Sequence, residues 1–524
     1  MAAVSKIDSN VTGLRVAKES SIGVLPGTDG ADAVWYPLEP NSYGDFGGNI
    51  TTVARETIND ARSRQKGVTT DVEASGNFEA DLTQDSLQHL WEGLFYAGYD
   101  VKNERFNDHT EDSVITNVDA ASDTFTVTTG TSFRSGDLVF ASGFSNTENN
   151  GLHLADTGSD DEALVVTTAL ADEAAPLDLA KLVTVGFEFD SGDAVIDVTG
   201  ALPKLTTTAK DMTELGISAG EFIYIGGDAA DESFASSNDN GWARVRSVTA
   251  NAMTFDKTAA AMTADSGTSK TIRIFFGRTV QNKTGADIVR TTYQLERKLG
   301  APDDSNPTHI QSEYLKGSCL NEMTINIPTA EKITTETTFM AKDVEHRAGA
   351  ASGSEALKAG TRPTLVSMEA FNSSSDVARI RLAPVSSTEE FPTALFSFVM
   401  EGSVSINNNN ARNQALGTVG AFDYSAGTFE VSAEVTAYFQ NVTALTSIRN
   451  NDDVSLDITI VKDNAGLAID LPLLTLGGGL AQVELNEPVK LPLTADAAQA
   501  TSVDSAYTHT AKVCVFDYLP DAAE

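Results

Sequence analysis

The chain is short of cations, of cysteine and of long apolar runs, and each shortage closes off a class of function. Its 524 residues hold 36 lysines and arginines against 74 aspartates and glutamates, a formal charge of −38. Nucleic acid is gripped through cations that displace counterions from phosphate, so general surface binding of DNA or RNA is excluded. A wall of this sign repels DNA instead, which is useful where DNA must pass without sticking. The two cysteines, Cys319 and Cys514, lie in apolar strand-like contexts and build no disulfide framework. No apolar run approaches the ~20 residues of a membrane span. The first twenty residues lack the apolar core of an export signal, so the expectation is a chain made and used in the cytoplasm, away from membranes.

Catalytic signatures are missing as well. The six histidines, His89, His109, His153, His309, His346 and His509, are scattered without metal-ligand spacing. There is no GxSxG elbow and no P-loop. The triple glycine at 477–479 lacks the GxGxxG pattern and reads as a turn between strands. The acid clusters at 160–162 and 228–232 lack the central glycine and terminal glutamate of a calcium loop, so they read as solvated turns. Glu430 and Glu434 share one strand face, as a glycosidase pair could, but no aromatic sugar platform accompanies them. The sequence predicts no enzyme, no cofactor and no metal.

What is present is period two. Along 395–406, LFSFVMEGSVSI, the residues Phe396, Phe398, Met400, Val404 and Ile406 share one parity, with Ser397, Glu401, Ser403 and Ser405 on the other. Along 428–440, Phe429, Val431, Ala433, Val435, Ala437 and Phe439 alternate with Glu430, Ser432, Glu434 and Thr436. Along 454–460, Val454, Leu456, Ile458 and Ile460 alternate with Ser455, Asp457 and Thr459. These read as antiparallel strands, apolar on one side and wet and acidic on the other. An open sheet of this length presents unpaired N–H and C=O groups at its edges, so it must be covered or closed.

Elsewhere, 50–67 (ITTVARETINDARSRQKG) gathers Arg55, Arg62, Arg64 and Lys66 in an otherwise acidic chain and reads as a polar docking arm for an acidic neighbour. A strand over 69–82 leads to Thr83, which can cap a helix whose Leu87, Leu90, Trp91, Leu94 and Phe95 follow helical spacing, with Gly98 closing it. Between 112 and 280 the composition shifts to Thr, Ser, Asp, Ala and Gly. There, SFRSGDLVF at 132–140 followed by NNGL at 149–152 resembles ISAGEFIYI at 217–225 followed by DNGW at 239–242, a weak internal repeat. The parse is one domain made of 1–111 and 281–524, interrupted by inserted β modules at 112–195 and 196–280.

The N-terminal segments GLRVAKE (13–19), WYPLEPNS (35–42), ITTVAR (50–55), RQKG (64–67), ASGNF (74–78) and DLTQD (81–85) resemble the tail tube, or major tail, protein of long-tailed bacteriophages, the siphophages. Segments 407–414 and 454–466 do so as well, so the likeness covers 1 to 105 and 285 to 524. It implies a mainly β fold, a tail-tube β-barrel or sandwich with one flanking helix and inserted small all-β modules outside. It further implies homohexameric rings that stack into a virion tail tube, 50–67 as the arm reaching the next ring, and assembly in the host cytoplasm. Its partners would be copies of itself, the tape measure protein, and tail terminator and baseplate proteins, with genomic DNA passing transiently during ejection. Glu401, Glu430, Glu434 and Asp457 would face the lumen. The rival reading, a secreted or surface multi-domain β protein such as an adhesin or S-layer subunit, shares the acidity but predicts an export signal.

Overall fold

A computed structural model describes residues 7, 12–58, 60, 64–84, 87–107, 114–300, 309–350, 355–364, 369–385, 389–391 and 394–523. The protein is mainly β, in antiparallel sheets, with two α-helices of eight residues each among the described residues, one more helix than expected. It divides into two compact units: Met1–Ala97, Thr284–Ala370 and Ser403–Ser432 form the first, and Gly98–Lys283, Phe371–Gly402 and Ala433–Glu524 the second. That division cuts across the parse by chain order, since residues 281–524 contribute to both.

In the first unit seven strands pair antiparallel in the order Pro40–Arg55, Gln65–Asp81, Thr334–Ala350, His309–Ile327, Tyr293–Gly300, Gly13–Lys18 and Tyr36–Leu38. Alternation sets their inner side. Phe78 and Phe339 are fully buried and stack at 6.2 Å, with Tyr293 edge-on to Phe339. The sheet curls: the Arg297 guanidinium on Tyr293–Gly300 lies 4.4 Å from the ring centre of Phe46, on a strand four places away in the order, and donates to the Phe46 carbonyl at 3.2 Å.

The helix of this unit runs Gln88–Phe95, shorter than the expected 83–97. Thr83 is held in a β-bridge to Ala370 and caps nothing, and Leu87 stands at the N-cap without a side-chain bond. The helix ends on Tyr96, left-handed at φ 50°, rather than at Gly98, because the Tyr96 hydroxyl is fixed by Asn410 Oδ1 at 2.8 Å. Asn408 Nδ2 donates to the Leu94 carbonyl at 2.9 Å, satisfying one of the last-turn acceptors that a helix leaves open. Leu87, Leu90, Trp91, Leu94 and Phe95 are all buried, as their spacing predicts. Gly93 is required by close approach: a Cβ there would lie 2.4 Å from the Tyr293 ring, whose hydroxyl accepts from Gly93 N at 3.0 Å and donates to the His89 carbonyl at 2.7 Å.

The second unit merges the inserted region with the end of the chain. Strand Lys181–Glu188 pairs with Asp137–Ser142, with Glu104–Phe106 and with Arg273–Phe275, so the boundary expected at 195/196 does not separate two sheets. Leu138, Phe222, Trp242 and Phe275 share one core cluster with Val461, Ala468, Cys514 and Phe516. The inserted region thus keeps two core clusters of its own, one within 115–182 and one within 187–276, and shares a third with the terminal strands Val454–Lys462, Ala465–Gly478 and Lys512–Phe516. The second helix, Thr443–Asn450, is entered through Asn441, whose Oδ1 accepts from Thr443 N at 2.8 Å, and is closed by left-handed Asn451.

The internal repeat is reproduced atom for atom in its turns. Asn150 Oδ1 accepts from Phe144 N while its Nδ2 donates to the Phe144 and Asn146 carbonyls; Asn240 does the same with Phe234 and Ser236. The glycine after each asparagine, Gly151 or Gly241, takes φ 121° or 106°, which side chains rarely adopt. The acid that opens each copy turns back on its own loop: Asp137 accepts from Arg134 N at 2.9 Å and Glu221 from Ser218 N at 3.0 Å.

Candidate functional site

The acidic face assembles from alternation alone. Glu430 and Glu434 are exposed on strand Glu430–Tyr438, between the buried Val431, Ala433 and Val435, and Glu401 is exposed on Val399–Asn407. That second strand starts later than expected, which leaves Phe398, assigned to the apolar side, 69% exposed. In the first unit Ser405 donates to Glu322 Oε1 at 3.1 Å and accepts from Thr324 at 3.0 Å, so its wet side continues onto strand His309–Ile327. From there the register runs Thr324 to Glu336 and Glu336 to Glu79. Glu79, Glu322 and Glu336 thus share the wet side of three strands of the first unit. Sequence reasoning missed them, although Glu322, Thr324 and Asn326 alternate with Met323, Ile325 and Ile327 as clearly as the residues it chose. Positions 77, 79, 322, 324, 326, 336, 338, 403, 405, 430 and 432 hold no lysine or arginine. Glu79 and Glu336 stand directly opposite each other, and facing like charges destabilise a strand pair.

Asp457 does not belong to this face. It is fully buried, with Lys257 Nζ at 2.9 Å and Arg379 Nε at 2.5 Å, and its strand is buried on both sides from Val454 to Val461. Beside it Asp470, also fully buried, takes Arg244 Nη1 at 2.9 Å, while Arg244 forks onto Asp256 at 2.8 and 3.0 Å and Tyr507 donates to Asp256. Burial alone would raise both aspartates, but Arg244, His509 and Lys257 beside Asp470, and Lys257 and Arg379 beside Asp457, outweigh it and hold the carboxyls below the usual range. Period two could not show this, because the cations that cover the polar side are supplied by distant segments.

The arm is a hairpin rather than a loop: Pro40–Arg55 and Gln65–Asp81 stay paired out to Arg55 opposite Gln65. At its root Arg412 donates to both Asp71 oxygens at 3.2 Å and to the Val72 carbonyl at 2.7 Å, and this bonding keeps the Asp71 carboxyl below its ordinary range. Arg55, Arg64 and Lys66 are exposed, and Arg64 meets Glu56 at 3.2 Å. Arg62 lies outside the described residues. Ile50, Val53 and Val68 are 58%, 53% and 57% exposed, so the arm is apolar as well as basic. Strand Pro40–Arg55 pairs on one side only among the described strands, which leaves a long free edge.

Among the described residues no group of three or more His, Cys, Asp or Glu side chains could hold a metal ion. No helix there is long and apolar enough to cross a membrane. Asp160 accepts from the backbone N–H groups of Glu162 and Ala163 and so acts as a turn residue. The glycine triplet closes strand Ala465–Gly478, with Gly478 and Gly479 at φ 82° and 92°.

A search of curated proteins finds no match. Residues 9–497 match the profile of a family described as phage tail tube protein, a span that takes in both units and the acidic face. The chain therefore belongs to the phage tail tube protein family, structural and non-enzymatic components of the virion tail that assemble with themselves and other tail proteins into a tube.

Proposed function

We propose that six copies of this chain close into a ring and that the rings stack into the tail tube of a siphophage. The carboxylates of Glu79, Glu322, Glu336 and Glu430 in the first unit, and those of Glu401 and Glu434 in the second, face the bore. The observation that carries this reading is a carboxylate face whose central strand positions hold no lysine or arginine, bounded at one end by the Lys332–Asp81 pair, with Glu79 set against Glu336 on a curled sheet that keeps a long free edge. A protomer gains nothing from facing like charges, whereas a channel does: their repulsion, screened over about 8 Å at physiological salt, keeps DNA off the wall during ejection. Joining edges around a ring removes the exposed strand. On this reading the hairpin arm reaches the next ring, the tape measure protein occupies the bore before ejection, and terminator and baseplate proteins close the ends. Assembly takes place in the host cytoplasm, and residues 112–280 lie on the exterior.

Electron microscopy of the purified full chain tests the assembly: hollow tubes or six-fold rings are expected, and a monodisperse monomer at high concentration would overturn the reading.

A further inference from the structure

In the second unit the segment joining Ala465–Gly478 to Lys490–Ala497 holds Leu480, Val483 and Leu485 almost wholly in solvent, at 83%, 76% and 89% exposure. The segment is nonetheless built into the fold. Gln482 and Lys490 exchange two backbone hydrogen bonds at 2.8 and 3.1 Å, and Phe439 N donates to the Val489 carbonyl at 2.9 Å. Gly479 is seated against Leu445 and Ile448 of helix Thr443–Asn450, where a Cβ would lie 3.3 and 3.2 Å from their methyl carbons. Val442, at the head of that helix, is 67% exposed. Four apolar side chains held in water on an ordered surface mark an interaction site rather than scattered surface residues.

The charges say what covers it. Glu484 and Glu487 interleave with the apolar residues, and Lys490 meets Glu487 at 2.6 Å. The hairpin arm has the complementary make-up: exposed Val53 and Val68 face each other across its strands, Ile58 at its tip is fully exposed, and Arg55, Arg64 and Lys66 flank them. In a chain of charge −38, copies repel each other over most of their surface, so a lasting contact needs one of the few cation-bearing patches.

We propose that segment 479–489, together with Val442, is the seat on which the hairpin arm of a second copy of this chain docks; this rests on the tube reading. Apolar side chains meet apolar side chains, with Arg55, Arg64 and Lys66 of one copy against Glu484 and Glu487 of the other.

Single-cysteine pairs test the contact, because Cys319 and Cys514 are buried and stay silent. Protein carrying Val53→Cys is mixed with protein carrying Val483→Cys or Leu485→Cys, allowed to assemble, oxidised, and run on a non-reducing gel beside electron micrographs. A mixed disulfide dimer at least tenfold more abundant in tubes than in unassembled protein at the same concentration is expected. In parallel, the Leu480→Ser/Val483→Ser/Leu485→Ser variant should keep the wild-type melting temperature yet stop short of tubes. Well-formed tubes without that disulfide, a disulfide that forms instead with Leu416→Cys, at a fully exposed apolar residue of the first unit, or normal elongation by the triple variant would each overturn the seat while leaving the tube reading intact. Wild-type protein that forms neither rings nor tubes would remove both.

Discussion

Asp457 and Asp470 show how a charged residue reads differently from the sequence and from the fold. Period two assigns Asp457 to a wet face, yet it and its neighbour Asp470 are locked among cations at zero exposure. Removing one partner of such a pair leaves the others buried without compensation, so Asp457→Asn should destabilise the protein by about 3–5 kcal/mol, seen as an earlier calorimetric transition. The acid side of the stability profile follows from the same shifts. Because the folded carboxyls lie below their unfolded values, their contribution is present above about pH 4 and is lost as pH falls through the folded values; melts from pH 7 to 3 should be flat and then drop. Asp137 runs the opposite way. Burial pushes it up to about 6, so its contribution is complete at low pH and is lost as pH rises through 6. Asp137→Asn should therefore raise the melting temperature at pH 8, worth about 1–3 kcal/mol, with the gain vanishing near pH 4. A gain that persists unchanged at pH 4 would refute the desolvation argument.

At the scale of elements, the helix Gln88–Phe95 depends on Gly93, and Gly93→Ala should cost about 1–3 kcal/mol by driving a methyl into Tyr293. Chemical denaturation measures it, and a cost below the noise would mean that the ring yields. The arm is surface-borne, so reversing Arg62 and Arg64 to glutamate should leave the melt unchanged and block tube extension; normal tubes would reject its role.

Which elements were legible follows from where their determinants lie. The repeat could be read because an Asn-Gly turn is written in adjacent residues, and strand Glu430–Tyr438 because its polar side is wet in the folded chain. The helix core was legible and its ends were not, because Thr83 and Tyr96 answer to Ala370 and Asn410, far along the chain. Glu401, Glu430 and Glu434 were legible as exposed carboxylates, and Glu79, Glu322 and Glu336 were missed although the same rule covers them. Asp457 misled because periodicity reports which side a residue takes, not what stands opposite.

For the whole molecule, membership of the tail tube family and the carboxylate face meet in one demand: the face must point somewhere that repulsion is useful. Glutamine at Glu79, Glu322, Glu336 and Glu430 together should leave tubes intact, since it relieves repulsion within the sheet, while slowing DNA release from particles. The most direct measurement is a reconstruction of the assembled tube at side-chain resolution. The account predicts six-fold rings with Glu79, Glu322, Glu336 and Glu430 projecting into the bore. Those four carboxylates on the outer wall, or buried between rings, would contradict it.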